Sequence, residues 1–124
     1  MNRWADDVVT ALRFEGQAMI AVPHPIIQDV QLAQRLRRHM AALVEVVCGR
    51  MVVDELLLEG GATAEAVLGR LGWQAFWVAG ECGPGVVHLN VAGREDLLVT
   101  VKPGSYPWPA ETWSRRREGT SYAT

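Results

Sequence analysis

Residues 86–102 carry the pattern that most limits what this chain can fold into. Two sets of apolar residues alternate with their neighbours, namely Val87, Leu89 and Val91, then Leu97, Val99 and Val101. A period of two places every second side chain on the same face of a β-strand. The pattern therefore predicts a sheet with one buried face and one solvated face. Its strands are expected at Gln74–Ala79, Val86–Ala92 and Leu97–Lys102, with turns at Gly80–Gly85 and Gly93–Asp96.

Helical spacing dominates the first half of the chain. Residues 2–15 predict a first helix, and a longer one follows Asp29, whose carboxylate is suited to cap its first turn. The apolar positions of this longer helix recur every three to four residues, at Leu32, Leu36, Met40, Leu43 or Val44, and Val47. A short helix is expected from Thr63, as its N-cap, to Gly69. We expect the long helix to cover the apolar face of the sheet.

Two segments have a less regular pattern. Gln17–Val22 is predicted as a short strand, and Gly60–Gly61 is interpreted as a hinge. Met51–Leu58 fits either a helix or a buried strand, and Asp54 with Glu55 favours the helix. The predicted class is α+β, a small antiparallel sheet of three to four strands with the helices of the N-terminal half packed on one face.

Length and charge restrict the class of protein further. A chain of 124 residues fits one domain, which we assign to residues 1–102, followed by an extended arm and tail at residues 103–124. The net charge of -2 gives no general attraction to nucleic acid or to an anionic membrane. No apolar segment is long enough to cross a bilayer, and the first residues lack a signal-peptide pattern. We therefore expect a cytoplasmic protein.

The strongest catalytic hypothesis rests on Cys82 and His88. Cys82 lies in a glycine-rich loop, and His88 follows on the next predicted strand, where it could activate a thiolate. The alternative is an exposed loop cysteine and a solvent-facing histidine. The Gly80–Gly85 loop does not fit a phosphate-binding motif, because it joins two strands and lacks the following Lys-Ser/Thr. Neither a metal site nor a cofactor is predicted, since the histidines and cysteines match no metal-ligand spacing.

Clustered arginines suggest a second alternative, a regulator that binds nucleic acid. Arg35 and Arg38 share one face of the long helix, and Arg115, Arg116 and Arg117 form a run near the end of the chain. Eleven of the twelve basic residues are arginine, a coding bias typical of bacterial or phage genes. The acidic net charge favours a solvated helix face over a phosphate contact.

Aromatic residues lead to the favoured interpretation. Exposed aromatics next to arginines are typical anchors of protein interfaces. The predicted partner-binding residues are Trp77, His88, Tyr106, Trp108, Trp113, Arg115, Arg116 and Arg117. The sequence thus favours a small non-catalytic module of bacterial, phage or plasmid origin, an inhibitor, immunity protein, chaperone or adaptor that occludes another protein. A homodimer is a further option, and no membrane partner is expected.

Overall fold

The computed structural model describes residues 2–21, 29–73, 75–104, 106–110 and 112. Three helices and four strands follow one another along these residues. In chain order they are α1 Asn2–Glu15, α2 Val30–Arg50, β1 Glu55–Glu59, α3 Gly61–Arg70, β2 Phe76–Gly83, β3 Val86–Val91 and β4 Arg94–Lys102. The predicted α+β class, with the helices in the N-terminal half, is confirmed.

The four strands form one mixed sheet in the order β1-β4-β3-β2. The last three strands pair antiparallel with their sequence neighbours, as the alternation predicts. β1 adds a parallel pair, because it runs beside β4 from Glu55 opposite Leu98 to Glu59 opposite Lys102. Both of these strands therefore end at the same edge of the sheet.

The alternation correctly predicts the core face of the sheet, but the opposite face is not fully solvated, because Thr100 and Lys102 are each 1% exposed. Leu89, Val91, Val99 and Val101 pack into the core together with Leu58 of β1. On the other side of this core lie residues of α2 and α3, among them Ala41, Ala64 and Val67. α3 lies directly on this face and α2 packs on α3, so the short helix contacts the strands more closely than the long helix expected there. Side chains such as His88 and Thr100, paired across β3 and β4, lie on the opposite face.

Two helix predictions are confirmed in detail. α1 has the predicted bounds. Asp29 caps α2, with its Oδ1 accepting hydrogen bonds from the backbone N–H of Gln31 at 2.9 Å and of Leu32 at 3.3 Å. α1 packs on α2 through a second core of Ala5, Val8, Val9, Leu43 and Val47. Since α2 contributes to both cores, it joins α1 to the rest of the domain.

The two irregular segments differ from their predictions. Residues 17–21 have no regular structure, and residue 22 lies outside the described residues, so the predicted strand is wrong where it can be seen. The preference for a helix at Met51–Leu58 is also wrong, because its second half forms β1. A strand beside a parallel neighbour can be apolar on both faces, so its sequence shows no alternation to distinguish it from a buried helix.

The turns are tighter than predicted. β2 continues through most of the Gly80–Gly85 segment, with register shifts on both sides of Gly80–Glu81 that absorb the extra residues. β4 begins at Arg94, so the predicted Gly93–Asp96 loop is shortened to a turn. α3 begins at Gly61 with Gly60 as its N-cap, so the predicted cap at Thr63 is wrong.

Residues after β4 lie against the turn between β2 and β3. A Cβ atom at Gly85 would stand 2.8 Å from the ring of Tyr106, and one at Gly83 would stand 2.9 Å from Pro109. Gly85 also has a φ of 73°, which favours glycine. Both positions therefore require glycine, because a side chain there would collide with Tyr106 or Pro109. Within the described residues, no helix has the length and apolar character that a bilayer crossing needs.

Candidate functional site

The carboxyl ends of the two parallel strands meet at one edge of the sheet. Glu59 ends β1 and Lys102 ends β4, and the two residues are partners in the register. The backbone N–H of Gly60 donates to the carbonyl of Lys102 at 2.8 Å, which ties the turn after β1 to the end of β4. In open sheets with parallel strands, ligands bind in the crevice outside such carboxyl ends.

The amino-terminal end of α3 stands at this edge. Its N-cap, Gly60, has φ 92° and ψ 132° and has no side chain to accept a hydrogen bond from the first turn. A Cβ atom at Gly61 would meet nothing within 4 Å, so the space beside this residue is open. The first N–H groups of an α-helix have no acceptor within the helix, and the helix dipole adds partial positive charge there. The turn can therefore bind an anion through its backbone.

Lys102, the only lysine of the chain, is buried beside this turn with 1% of its surface exposed. Its Nζ donates to the carbonyls of Pro103, at 2.7 Å, and Tyr106, and contacts Glu59 Oε1 at 3.1 Å. An ammonium group has three N–H donors, and these acceptors account for all three. In this arrangement Lys102 holds the segment after β4 and is not free to bind a phosphate.

Trp108 completes the cluster around Lys102. Its indole Nε1 donates to Glu59 Oε1 at 2.9 Å, and its ring lies 5.3 Å from Lys102 Nζ. The side chain of Glu59 stays 55% exposed, so this carboxylate faces solvent at the edge where α3 begins. Because the ammonium of Lys102 is already paired, an anion at this turn would be bound by the first N–H groups of α3.

The predicted partner-binding aromatics are spread over the structure. Trp77 is 57% exposed on the edge strand β2, and Tyr106 is 44% exposed beside Gly85. Trp108 binds Glu59, as described above. His88 is partly buried, with its Nδ1 2.8 Å from the hydroxyl of Thr100. The structure therefore brings Tyr106 and Trp108 to the lysine cluster, while Trp77 lies apart on the edge strand.

The remaining predicted site residues, Trp113 and the arginines, fall into two groups. Trp113 and Arg115, Arg116 and Arg117 lie outside the described residues, so their roles stay predictions. Arg35 and Arg38 are both exposed on α2. Of these two, Arg38 lines a groove between α2 and α3 and Arg35 does not.

Cys82 and His88 each have a different partner. The thiol of Cys82 is 3.8 Å from the carbonyl of Val86, whereas His88 contacts Thr100. No contact between the two side chains is found among the described residues. The other cysteine, Cys48, is partly buried in α2, and this burial raises the pKa of its thiol, while the charge of Arg94 acts in the opposite direction.

Glu59, Gly60, Gly61 and Lys102 together form what we call the strand-end site. Sequence reasoning did not single out these residues as a site. Gly60–Gly61 was interpreted as a hinge, and Glu59 and Lys102 received no role. A signal was present, because the apolar run Leu56–Leu58 leads directly into two glycines and then a helical pattern. A buried strand, a glycine turn and a helix in that order form the usual framework of a phosphate site. The preference for a helix at Met51–Leu58 concealed it.

Comparison with known proteins gives a family for this arrangement. The family model described as a nucleotide-binding C-terminal domain matches residues 4–106, most of the chain. The chain is also 40% identical over 118 residues to a 3-oxo-tetronate kinase of Methylobacterium radiotolerans. That alignment covers 82% of this chain and 28% of the kinase, so the chain spans under a third of its relative. No solved structure matches the chain.

These matches overturn the functional predictions made from the sequence. A nucleotide-binding domain related to a kinase contradicts a non-catalytic protein-binding module, and with it the inhibitor, immunity, chaperone and phage interpretations. The assignment as a non-enzyme is wrong for the same reason. The predicted partners, another protein, a homodimer or nucleic acid, are contradicted by the same matches. The error arose because the functional predictions rested on reactive, basic and aromatic side chains, none of which indicates a nucleotide-binding family.

Proposed function

This chain belongs to the family of nucleotide-binding C-terminal domains, and from that premise we propose that it binds the phosphates of ATP at the amino-terminal end of α3. The observation that carries the proposal is the open Gly60–Gly61 turn at the ends of β1 and β4, inside the matched residues 4–106. Backbone N–H groups at a helix start, together with the helix dipole, bind phosphate without any basic side chain. The absence of a side chain at both glycines lets a phosphate approach the backbone closely.

The reaction we propose is phosphoryl transfer to a sugar acid, with 3-oxo-tetronate as the first acceptor to test. Support comes from the kinase relative, which shares 40% identity with this chain. The alignment covers 28% of that kinase. We therefore propose that this domain binds the nucleotide and that other parts of such a kinase bind the acceptor. Because the reaction consumes ATP, we place the protein in the cytoplasm.

The residues of the strand-end site have distinct roles in this proposal. Phosphoryl transfer depends mainly on positioning and on stabilising the charge of the phosphate oxygens. The N–H groups of the first turn of α3 supply both. Lys102 keeps the end of β4 in place and thereby fixes the Gly60 turn, whose N–H donates to the Lys102 carbonyl. Glu59 keeps the ammonium of Lys102 paired at 3.1 Å.

Gly61→Val tests the nucleotide site. A Cα–Cβ bond in a helix points toward its amino-terminal end, so the valine side chain would occupy the space where the phosphate binds. Gly61 does not have a positive φ and an added Cβ meets no neighbour within 4 Å, so the fold tolerates the change. We expect isothermal titration calorimetry to show ATP binding weakened about tenfold or more, equal to about 1.4 kcal/mol.

Gly49→Val in α2 is the matched control, because its added Cβ is equally free of contacts and it lies outside the strand-end site. The control should bind ATP like the parent protein. Equal ATP affinity in Gly61→Val and the parent would refute the α3 site, and no binding by the parent would refute the proposal as a whole. The acceptor is tested in a complete kinase that contains this domain, where ADP formation that does not depend on 3-oxo-tetronate would count against this choice.

A further inference from the structure

A groove of about 480 Å³ lies between α2 and α3. The residues that line it are Arg37, Arg38 and Ala41 of α2 and Ala62, Glu65, Ala66, Gly69 and Arg70 of α3. Three of these residues are arginines and one is a glutamate, so the lining has a formal charge of +2 within a protein of net charge -2. A local concentration of guanidinium groups on an acidic protein points to an anionic ligand.

The two ends of the groove differ in charge. At one end, Arg70 Nε is 3.0 Å from Glu45 Oε1, so its charge is largely neutralised. Neither Arg37 nor Arg38 forms an ion pair within the part of the chain that the structure describes. With Arg70 paired, Arg37 and Arg38 together with Glu65 leave a formal charge of +1 in the groove.

The unpaired arginines stand toward the amino-terminal end of α3. The Arg70–Glu45 ion pair ties the last turn of α3 to the later part of α2. Arg38 precedes Glu45, and Ala62 precedes Arg70, by about two helical turns each. The groove that Arg37 and Arg38 line also reaches Ala62 in the first turn of α3. Gly60 and Gly61 do not line the groove, so it begins at the residue that follows the turn.

The rest of the lining suits close approach by a polyanion. The remaining lining residues are Ala41, Ala62, Ala66 and Gly69, none of which has a side chain beyond Cβ. A ligand can therefore lie against the helix backbone while the long arginine side chains reach over it. Guanidinium groups bind phosphate through paired, charge-assisted hydrogen bonds.

We propose that Arg37 and Arg38 bind the β- and γ-phosphates of ATP in this groove. The inference rests on the proposed function, because it extends the phosphate site at the start of α3. It makes the two arginines specificity residues, which distinguish a nucleoside triphosphate from a monophosphate. A single phosphate bound at the Gly61 turn does not need the groove, whereas a triphosphate continues into it. The same guanidinium groups would stabilise the charge on the phosphoryl group during transfer.

The test compares three ligands: ATP, AMP and inorganic tripolyphosphate. Isothermal titration calorimetry is performed on the parent protein and on the double variant Arg37→Gln/Arg38→Gln. Since a hydrogen bond to a charged group contributes about 1.5–3 kcal/mol, we expect ATP and tripolyphosphate to bind at least about tenfold more weakly. AMP affinity should change less than about twofold. Urea denaturation of both proteins confirms that the surface substitutions leave the fold intact.

Arg35→Gln is the control for a nonspecific charge effect, because it removes one positive charge, half of what the double variant removes, from an exposed position on the same helix that does not line the groove. It should leave the affinity for all three ligands unchanged. Three results would overturn the inference: equal loss for AMP and ATP, equal loss in Arg35→Gln, or no loss in the double variant. If Gly61→Val still weakens ATP binding in any of these cases, the α3 site stands and only the groove assignment fails.

Discussion

Lys102→Met is the substitution for which the structure gives the sharpest expectation about stability. Lys102 is 1% exposed, and its Nζ contacts the Pro103 and Tyr106 carbonyls and the Glu59 carboxylate. Methionine keeps an apolar side chain of similar length, so the change removes the ammonium group and leaves little or no cavity. The measured loss of stability therefore reports on the polar contacts of Lys102.

The magnitude follows from the acceptors that remain. A buried carbonyl left without a donor costs about 1–3 kcal/mol. Tyr106 is 44% exposed and the side chain of Glu59 is 55% exposed, so water can replace part of what these two groups lose. The variant also avoids the cost of burying a charge. We therefore expect a net loss of about 2 kcal/mol, which corresponds to roughly 6–10 °C in Tm for a chain of this size.

Equilibrium urea denaturation followed by far-UV circular dichroism measures this loss. Arg50→Met is the matched control, because Arg50 pairs with Asp6 at 2.7 Å but the two side chains are 45% and 62% exposed. Such a surface pair contributes about 0–1 kcal/mol, so the control should remain close to the parent protein. If Lys102→Met loses no more stability than Arg50→Met, Lys102 does not hold the end of β4 in the way described here.

Two further predictions concern backbone conformation and thiol reactivity. Gly69→Ala should stabilise the fold by about 0.5–1 kcal/mol, because alanine favours a helix; an added Cβ at Gly69 also meets nothing within 4 Å. Gly60→Ala should destabilise the fold by about 1–3 kcal/mol, because the φ of Gly60 is 92°. Urea denaturation measures the stability of both variants. A loss of stability in Gly69→Ala, or no loss in Gly60→Ala, would contradict this reasoning. At neutral pH, Cys48 should react with a thiol reagent more slowly than the exposed Cys82. Burial raises the pKa of the Cys48 thiol, and the charge of Arg94 only partly opposes this effect. The raised pKa lowers the fraction of Cys48 present as the reactive thiolate. Mass spectrometry of the modified peptides over time assigns the two rates, and equal rates at both cysteines would contradict the burial of Cys48.

The fold could be predicted from the sequence where local patterns decide the structure. Alternation located β3 and β4, because each has one face on the helices and one face away from them. Asp29 was recognised as a cap because its contacts lie within three residues. β1 escaped recognition because its three leucines carry no period, and its pairing with β4 joins segments far apart in the sequence.

The site was hidden for a related reason. Nothing in the sequence around Lys102 shows that it is buried, since Glu59 and Trp108, two of the side chains around it, come from outside its own strand. Gly60 and Gly61 bear no functional group, so a search for reactive side chains passes over them. Their importance is visible only once the strand before them and the helix after them are known.

The burial of Lys102 also explains which groups are left to meet a nucleotide. Its ammonium holds the segment after β4, and its carbonyl accepts the N–H of Gly60, so one residue connects the end of β4 with the start of α3. A lysine used in this way cannot also neutralise phosphate charge. Under the proposed function, the positive charge then comes from the first turn of α3 and from Arg37 and Arg38 of α2. The α3 turn and the groove are expected to act together on a triphosphate, and each is tested by its own variant.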